Sequence, residues 1–299
     1  MALMISDYLY ATVAYADIFD YPLSTDDLYY WCIQRVPRKN FRTSTVPGVD
    51  RSGYQLFLKG RQSVLHTYEE RHGGSKRKWE TARLVARWLQ LIPTIFLVGV
   101  TGGVAVNNAE RHDDIDLFFI TARGTLWISR LLVTIAVDLL GMRRKPGATN
   151  VANKICLNMF MSEEAMCLSK GEQDLFSAHE VLQMEPLWSR KNTYWRFLQA
   201  NIWVKKYLPV AWNIKQTGHN QHPKISHWWT RWSRKVLRLF ETPAKYFQLW
   251  YMARRRTREI IRDGVLRFHP HDARAWIRHA FEVRLAKRKI PIDKIFYTR

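Results

Sequence analysis

Residues 94–121, TIFLVGVTGGVAVNNAERHDDIDLFFIT, constrain this chain more than any other stretch. Two apolar runs, TIFLVGV (94–100) and DIDLFFIT (114–121), flank a glycine pair and a dense acid cluster. A short apolar run bounded by turn residues is the pattern of a strand buried on both faces, so each run predicts a strand in a helix-covered sheet. Alternate side chains of a strand share a face: Asp114 and Asp116 point together, while Ile115 and Leu117 enter the core. Carboxylates so placed repel, and each raises the other's pKa unless a cation bridges them. Short acids also cap turns by bonding local backbone, and Asp113 reads as such a turn residue. For Asp114 and Asp116 the preceding Gly102-Gly103 pair tips the balance toward a metal site. A glycine turn that opens a helix bares backbone N–H groups to an anion.

The pattern continues on both sides. TLWISRLLVTIAVDLLGM (125–142) reads as an amphipathic to nearly all-apolar helix, and KICLNMFM (154–161) as a third strand. Strand, glycine turn, helix, strand, helix, strand describes a sheet covered by helices. Upstream, residues 61–91 predict one long helix with a weak point at Gly73-Gly74. Nearer the N-terminus, Leu9, Val13 and Ala16 share a helical face, and a second helix restarts after Pro22 with Ser24 and Asp27 spaced as a capping box. RSGYQLFLKGR (51–61) alternates Tyr54, Leu56 and Leu58 with more polar neighbours between glycines, as a strand or wing does. Two helices and such a strand pair outline a winged-helix-like unit. Asp17, Asp20, Asp26 and Asp27 make the approach to its second helix acidic, which suits DNA poorly. From 172 onward the pattern is wholly helical, with a polar loop at TGHNQHPKIS (217–226).

Composition bounds the partners. At 299 residues the chain is long enough for two domains and a sizeable core. The first residues show no secretory pattern, and the uncharged run 88–109 contains Pro93, the glycine pair and Asn107-Asn108, so it does not predict a membrane span. Three cysteines (Cys32, Cys156, Cys167) form no paired framework and no metal spacing, which suits a reducing cytoplasm. The net charge of +21 is concentrated in the last third, where residues 190–299 hold 26 Lys and Arg against 6 Asp and Glu. The same segment carries 8 of the 13 tryptophans. A basic, aromatic-rich segment reads as a surface for polyanions, nucleic acid before anionic membrane.

The order strand, Gly102-Gly103, ten residues, Asp114-Ile115-Asp116-Leu117 resembles the signature of the polymerase-β-like nucleotidyltransferase superfamily. The resemblance covers about 94–162; more loosely, AYADIFDYPLSTDDLYYW, KICLNMFM and RRTRE with FHPHD look like bacterial proteins that carry this domain after a winged-helix-like start. It implies an α+β fold: a small mixed sheet with helices at 91–170, flanked by a winged-helix-like unit with its connecting helix at 1–90 and a basic, Trp-rich helical domain at 171–299. It also implies a divalent ion (Mg²⁺ or Mn²⁺) on Asp114 and Asp116 and an NTP as donor of a nucleoside monophosphate to a hydroxyl or phosphate. Thr101, Gly102 and Gly103 would contact the nucleotide. The third acid usual on a neighbouring strand has no counterpart here. Lys154, Cys156, Asn158 and Phe160 share one face of KICLNMFM, and the neutral amide of Asn158 stands at that place, facing the same pocket.

Other features carry weaker readings. His219, His222 and His227 are spaced too loosely for zinc and read as loop residues. FHPHD (268–272) reads as a turn with Asp272 as N-cap, ahead of a catalytic His269 or His271. Arg254, Arg255, Arg256 and Arg258 crowd one helix, and part of that cluster fits phosphate contact. In HWWTRWSRKVLRLFETPAKYFQLWYM (227–252), Trp228 or Trp229, Trp232, Val236 and Leu239 recur at helical spacing, which ranks core first, nucleic acid second and membrane surface third; Pro243 breaks the segment. Together these readings predict a metal-dependent nucleotidyltransferase whose acceptor is RNA of a tRNA-like kind. The alternatives are a non-catalytic nucleic-acid-binding protein of the same fold, or transfer to a small molecule or protein.

Overall fold

The computed structural model describes residues 3–39, 41, 46–217, 229–253, 259–268 and 273–297. The chain begins with helix α1 (Ile5–Asp17), strand β1 (Leu23–Ser24) and helix α2 (Thr25–Tyr30), followed by the hairpin β2 (Val49–Ser52) and β3 (Gln55–Leu58). The three strands form an antiparallel sheet in the order β1-β3-β2. Ser24 caps α2 as its spacing predicts: its hydroxyl accepts from the Asp27 N–H at 3.0 Å, and the Asp27 carboxylate accepts from the Ser24 N–H at 3.1 Å. Leu58 is buried, while Tyr54 sits in the turn, exposed, and Phe57 is buried in place of a strict alternation.

Helix α3 (Val64–Leu89) runs unbroken through Gly73-Gly74. Tertiary bonds offset the low helix propensity of the glycines. Just beyond them, the Ser75 hydroxyl donates to the Arg71 carbonyl at 2.9 Å and accepts from the Ala109 N–H at 3.2 Å. The strands β4 (Ile95–Val100), β5 (Ile115–Thr121) and β6 (Ile155–Ser162) follow, with the short helix α4 (Gly102–Ala105) after β4 and helix α5 (Leu126–Leu139) after β5. β4 and β5 pair antiparallel; β5 and β6, joined through α5, pair parallel.

The C-terminal part departs from the wholly helical expectation. It contributes helices α6 (Leu175–Gln183), α7 (Thr193–Ala200), α8 (Pro209–Thr217), α9 (Trp229–Leu239), α10 (Glu241–Ala253) and α11 (Arg274–Ala286), but also three strands. These are β7 (Glu185–Ser189), β8 (Ile260–Arg262) and β9 (Val265–Arg267), which complete a six-stranded mixed sheet in the order β7-β4-β5-β6-β9-β8. The strands are too short for a period of two to register, yet the hairpin between β8 and β9 turns on Asp263-Gly264, a two-residue signal present in the sequence.

Both faces of the sheet are covered, which is why β4 is continuously apolar. Ile115, Leu117 and Phe119 of β5 enter a core with residues of α3 and α5, whereas Phe118 and Ile120 enter another with residues of α1, α6, α7 and α11. Asp116, between Ile115 and Leu117, therefore faces the α6 side. No described helix is long and apolar enough to cross a membrane.

Asp17 ties the two ends of the chain together. Its buried carboxylate accepts from Arg61 Nε at 3.1 Å and from Arg284 Nε, on α11, at 2.8 Å. Asp20 also pairs with Arg61, whereas Asp26 meets Arg38 in a solvent-exposed pair, so the acids ahead of α2 do not present a bare acidic face. Removing one member of a buried ion pair leaves its partners uncompensated. Asp17→Ala should cost about 3 kcal/mol in urea unfolding, whereas Asp26→Ala, on the exposed Arg38 pair, should leave stability nearly unchanged. Equal effects at the two positions would refute the bridging role of Asp17.

Candidate active site

The site begins where β4 ends. The Thr101 N–H donates to the Asp116 carbonyl at 3.0 Å, and the chain then turns at Gly102 with φ +67°. A β-carbon at Gly102 would lie 3.1 Å from Asp116 Oδ2, and one at Gly103 would lie 3.2 Å from both the Ala109 Cα and the Asn108 carbonyl oxygen. Glycine is thus required at 102 by backbone conformation and at both positions by close approach. Helix α4 spans only four residues. The Asn108 N–H folds back to the Gly103 carbonyl at 2.8 Å, and Asn107 takes φ +56° with its side chain accepting from Trp79 Nε1 at 2.8 Å. One turn sums few peptide dipoles, so this turn offers backbone N–H groups rather than a helix field.

The acid loop rests on Lys78, whose residue is 1% exposed. Its ammonium donates to the carbonyls of Arg111 (3.3 Å) and Asp113 and to Asn153 Oδ1 (3.3 Å). Burial lowers its pKa, and Asp113 and Asp114 oppose that shift. Asp113 is the turn residue that short acids make: its carboxylate accepts from the Glu110 N–H at 2.7 Å.

Asp114 and Asp116 converge as their spacing predicts. Ligand atoms of Asp114, Asp116 and Cys156 all lie within 4.8 Å of one another. The repulsion between the acids is, however, already partly relieved without a metal. Arg144, in the loop before β6, donates to Asp114 Oδ2 at 2.7 Å. Two carboxylates suit a hard cation such as Mg²⁺, which binds one or two of them together with water and phosphate oxygens. Cys156 does not fit that donor set, because a hard cation takes oxygen ligands; burial, then Asp116 and Asp114, push its thiol pKa up.

Asn158 lines a cavity of about 450 Å³ together with Asp116, Thr101 and Gly102. Phe160 does not share its face. The β5–β6 register shifts between Leu117↔Leu157 and Phe118↔Met159, so Asn158 and Met159 both line the cavity and Phe160 crosses to stack on Phe119 at 4.4 Å. A bulge of one residue breaks the period of two.

Glu180 on α6 faces the same cavity and a second one of about 430 Å³ on the other side of Gly102. It is exposed to these cavities, yet enclosure by protein pushes its carboxyl up to about 7; the charge on Asp116 adds to the shift and Arg267 opposes it. Glu172, by contrast, is held below the usual carboxylate range against the burial that would raise it, by Ser169, Arg267 and Arg262. Sequence reasoning passed over Glu180, Arg144 and Lys78. The available signal for Glu180 was LFSAHEVL (175–182), where His179 and Glu180 interrupt an otherwise apolar helix.

Arg254, Arg255, Arg256 and Arg258 lie outside the described residues, as do His219, His222, His227, Trp228, His269, His271 and Asp272. Helices α9 and α10 do not follow the core-first ranking, since Trp232, Leu239, Tyr246, Phe247 and Trp250 are all exposed. The segment breaks at Phe240, between α9 and α10, and Pro243 sits in the first turn of α10, where no helical N–H is lost. The inward face of α10 is mixed: Ala244, Gln248 and Met252 are buried, Glu241 accepts from the backbone N–H groups of Trp127 (2.9 Å) and Ile128 (3.0 Å), capping α5, and Gln248 Nε2 donates to the Trp127 carbonyl at 2.8 Å.

Comparison of the chain with protein-family models, curated proteins and solved structures finds no match.

The raised Glu180 pKa has a sign that stability measurements can read. With 4.5 as its ordinary value and about 7 in the folded chain, its contribution is fully present below 4.5 and is lost as pH rises through 7. Glu180→Gln lacks that titration. The variant should gain stability relative to the parent between pH 4.5 and 7 and hold a constant advantage above, read as the difference in melting temperature. A difference that does not change with pH would sink this assignment.

Proposed function

We propose that this chain is a metal-dependent nucleotidyltransferase that moves a nucleoside monophosphate from an NTP to an acceptor hydroxyl. The observation that carries the proposal is the convergence of Asp114 and Asp116 against the Gly102 turn, with Glu180 facing the cavity that Asp116 lines. The order of β4, glycine turn, β5 and β6 supports reading the large sheet as a nucleotidyltransferase core, and the α1-β1-α2-β2-β3 order supports a winged-helix-like start.

In this reading Asp114 and Asp116 would hold Mg²⁺, with the Arg144 guanidinium orienting the Asp114 carboxylate. When bound, the ion neutralises charge on the triphosphate. Thr101, Gly102 and Gly103 shape the wall beside the phosphates, and the Asn158 amide offers a hydrogen bond without a charge. Glu180 accepts the proton of the acceptor hydroxyl, and a carboxylate titrating near 7 suits that role at neutral pH. The acceptor oxygen bonds to the α-phosphorus, the bond to the bridging oxygen breaks, and pyrophosphate leaves with the electron pair.

Calorimetric titration with Mn²⁺ and a non-hydrolysable NTP should show saturable binding that the double substitution Asp114→Asn, Asp116→Asn removes. Unchanged binding in the double variant would end the metal-site reading.

One observation favours RNA as the carrier of the acceptor hydroxyl. The exposed aromatics of α9 and α10 stand among exposed Lys235, Arg238 and Lys245, in the segment that holds the charge excess. Aromatic faces stack bases and cations neutralise phosphates. With about five phosphate contacts, the log–log salt slope of RNA affinity should be roughly −3.5. Replacing Arg254, Arg255, Arg256 and Arg258 by Gln should weaken binding of all sequences alike and flatten the slope. Binding to anionic vesicles that RNA does not compete would point instead to a membrane surface.

A further inference from the structure

The cavity of about 430 Å³ is walled by aromatic rings and carboxylates together. One short run after α1, Phe19-Asp20-Tyr21, supplies both kinds of group. Asp20 takes φ +52°, a left-handed conformation that aspartate adopts more readily than most residues. The chain turns there, and ring, acid and ring all line one cavity instead of alternating between two faces. Trp31, just after α2, and Trp276, on α11, extend the aromatic wall. Phe19 and Trp276 meet edge to face with centroids 6.3 Å apart. Phe19, Tyr21 and Trp31 are only half-buried and Trp276 is exposed, so these wall residues retain accessible surface.

Four carboxylates share the lining, those of Asp20, Glu110, Asp113 and Glu180, and Arg71 is the one basic chain beside them among the described lining residues. His179 adds no charge, because burial drives its pKa down to about 3. Arg71 is committed to Glu110 at 2.6 Å and to Asp20 at 3.7 Å, and Arg61 pairs with Asp20 as well. The cations that act on Asp113 and Glu180 are bonded elsewhere. Lys78 donates to backbone carbonyls and to Asn153, and Arg267 meets Glu172 at 2.7 Å. The lining therefore holds more negative charge than its own cations neutralise. These acids do not converge on a point as metal ligands do; among the described residues such convergence is found at Asp114, Asp116 and Cys156.

The rings select the same sign of charge as the acids. An aromatic face carries the negative part of the ring quadrupole and attracts a cation laid over it. An anion meets repulsion from rings and carboxylates alike, and a neutral apolar guest desolvates the carboxylates without pairing them. We infer that this cavity binds an organic ammonium ion, with its alkyl groups on Phe19, Tyr21, Trp31 and Trp276 and its charge facing Glu180 and Asp113. Gly102 and Glu180 also line the cavity that holds Asp116 and Asn158. The ammonium thus stands next to the proposed donor site and favours the ionised form of Glu180, the form able to accept a proton. The inference concerns binding and does not rest on nucleotidyl transfer.

The test is calorimetric titration of the full chain, without metal or NTP, with two amines and their uncharged analogues: choline against its carbon isostere dimethylbutanol, and diaminobutane against butanediol. The pairs separate a quaternary from a primary ammonium. In at least one pair the amine should saturate at one site per chain and bind about tenfold or more tightly than its neutral analogue. Glu180→Gln removes the charge and keeps the shape, and should weaken the amine about tenfold while leaving the neutral analogue unchanged. Trp276→Leu keeps an apolar group at an exposed position and should weaken the amine about fivefold, with Trp276→Tyr restoring part of the loss. A cooperative melt of each variant confirms that it is folded before titration. Saturation by neither amine, a neutral analogue that binds as tightly as its amine, or parent-like amine affinity in both Glu180→Gln and Trp276→Leu overturns the proposal. Because neither metal nor NTP is present, failure of the nucleotidyl-transfer reading leaves this result untouched.

Discussion

A buried ammonium organises the region on which the candidate site depends. Lys78 projects from α3 into a position with 1% exposure, where an isolated cation would be costly. Its oxygen partners come from the loop ahead of β5 and from Asn153 ahead of β6. The same loop is fastened to α3 by the Ala109–Ser75 bond and to Gly103 by the Asn108 turn. One long helix thereby fixes the height at which β5 emerges, and with it the position of Asp114 and Asp116. The ammonium bonds carbonyls and the Asn153 amide oxygen rather than carboxylates, which leaves the neutralising of the two acids to other partners. Arg144 takes up part of that role from the opposite side.

The continuity of the molecule follows from the same economy of buried charge. Asp17, at the end of α1, receives guanidinium groups from the start of α3 and from α11. This places the N-terminal unit against α6 and α11, and the space left between them is the aromatic-walled cavity. The strands β7, β8 and β9 draw the C-terminal part into the central sheet on both edges. A basic segment that reads as separate by composition is therefore tied into the fold, and the exposed aromatics of α10 belong to a helix bonded to α5.

The sequence made the strong periodicities legible: three long strands, the helices between them, the Ser24–Asp27 cap, and the acid pair with its glycine turn. It did not reveal what depends on long-range pairing. Nothing in the local pattern distinguishes Lys78 from an ordinary helix-surface lysine, and Arg144 reads as one more basic loop residue. The misassigned face of Phe160 has a similar origin, since a one-residue bulge is decided by how β6 pairs with β5. The α9–α10 stripe misled for a different reason. Helical spacing identifies a common face, but α10 docks through Glu241, Ala244, Gln248 and Met252, which turns Tyr246, Phe247 and Trp250 outward. The β8–β9 hairpin was within reach, because Asp263-Gly264 between short β-prone runs is a local signal.

Glu180 unites these strands of argument. Its helix carries apolar residues into the core on one side, and on the other it presents a carboxylate to a space that protein surrounds. Solvation alone would leave such a carboxylate ionised near neutral pH; enclosure and the negative charge of Asp116 hold it near its midpoint instead. A purely structural acid would find a cation, as Glu172 does with Arg267 at 2.7 Å and as Asp174 does with Arg274. Glu180 is the acid of α6 left facing the cavities, in a region where nearby arginines pair with other acids. A group poised between protonation states, and lining both cavities beside the Gly102 turn, has the placement that the proposed proton transfer requires.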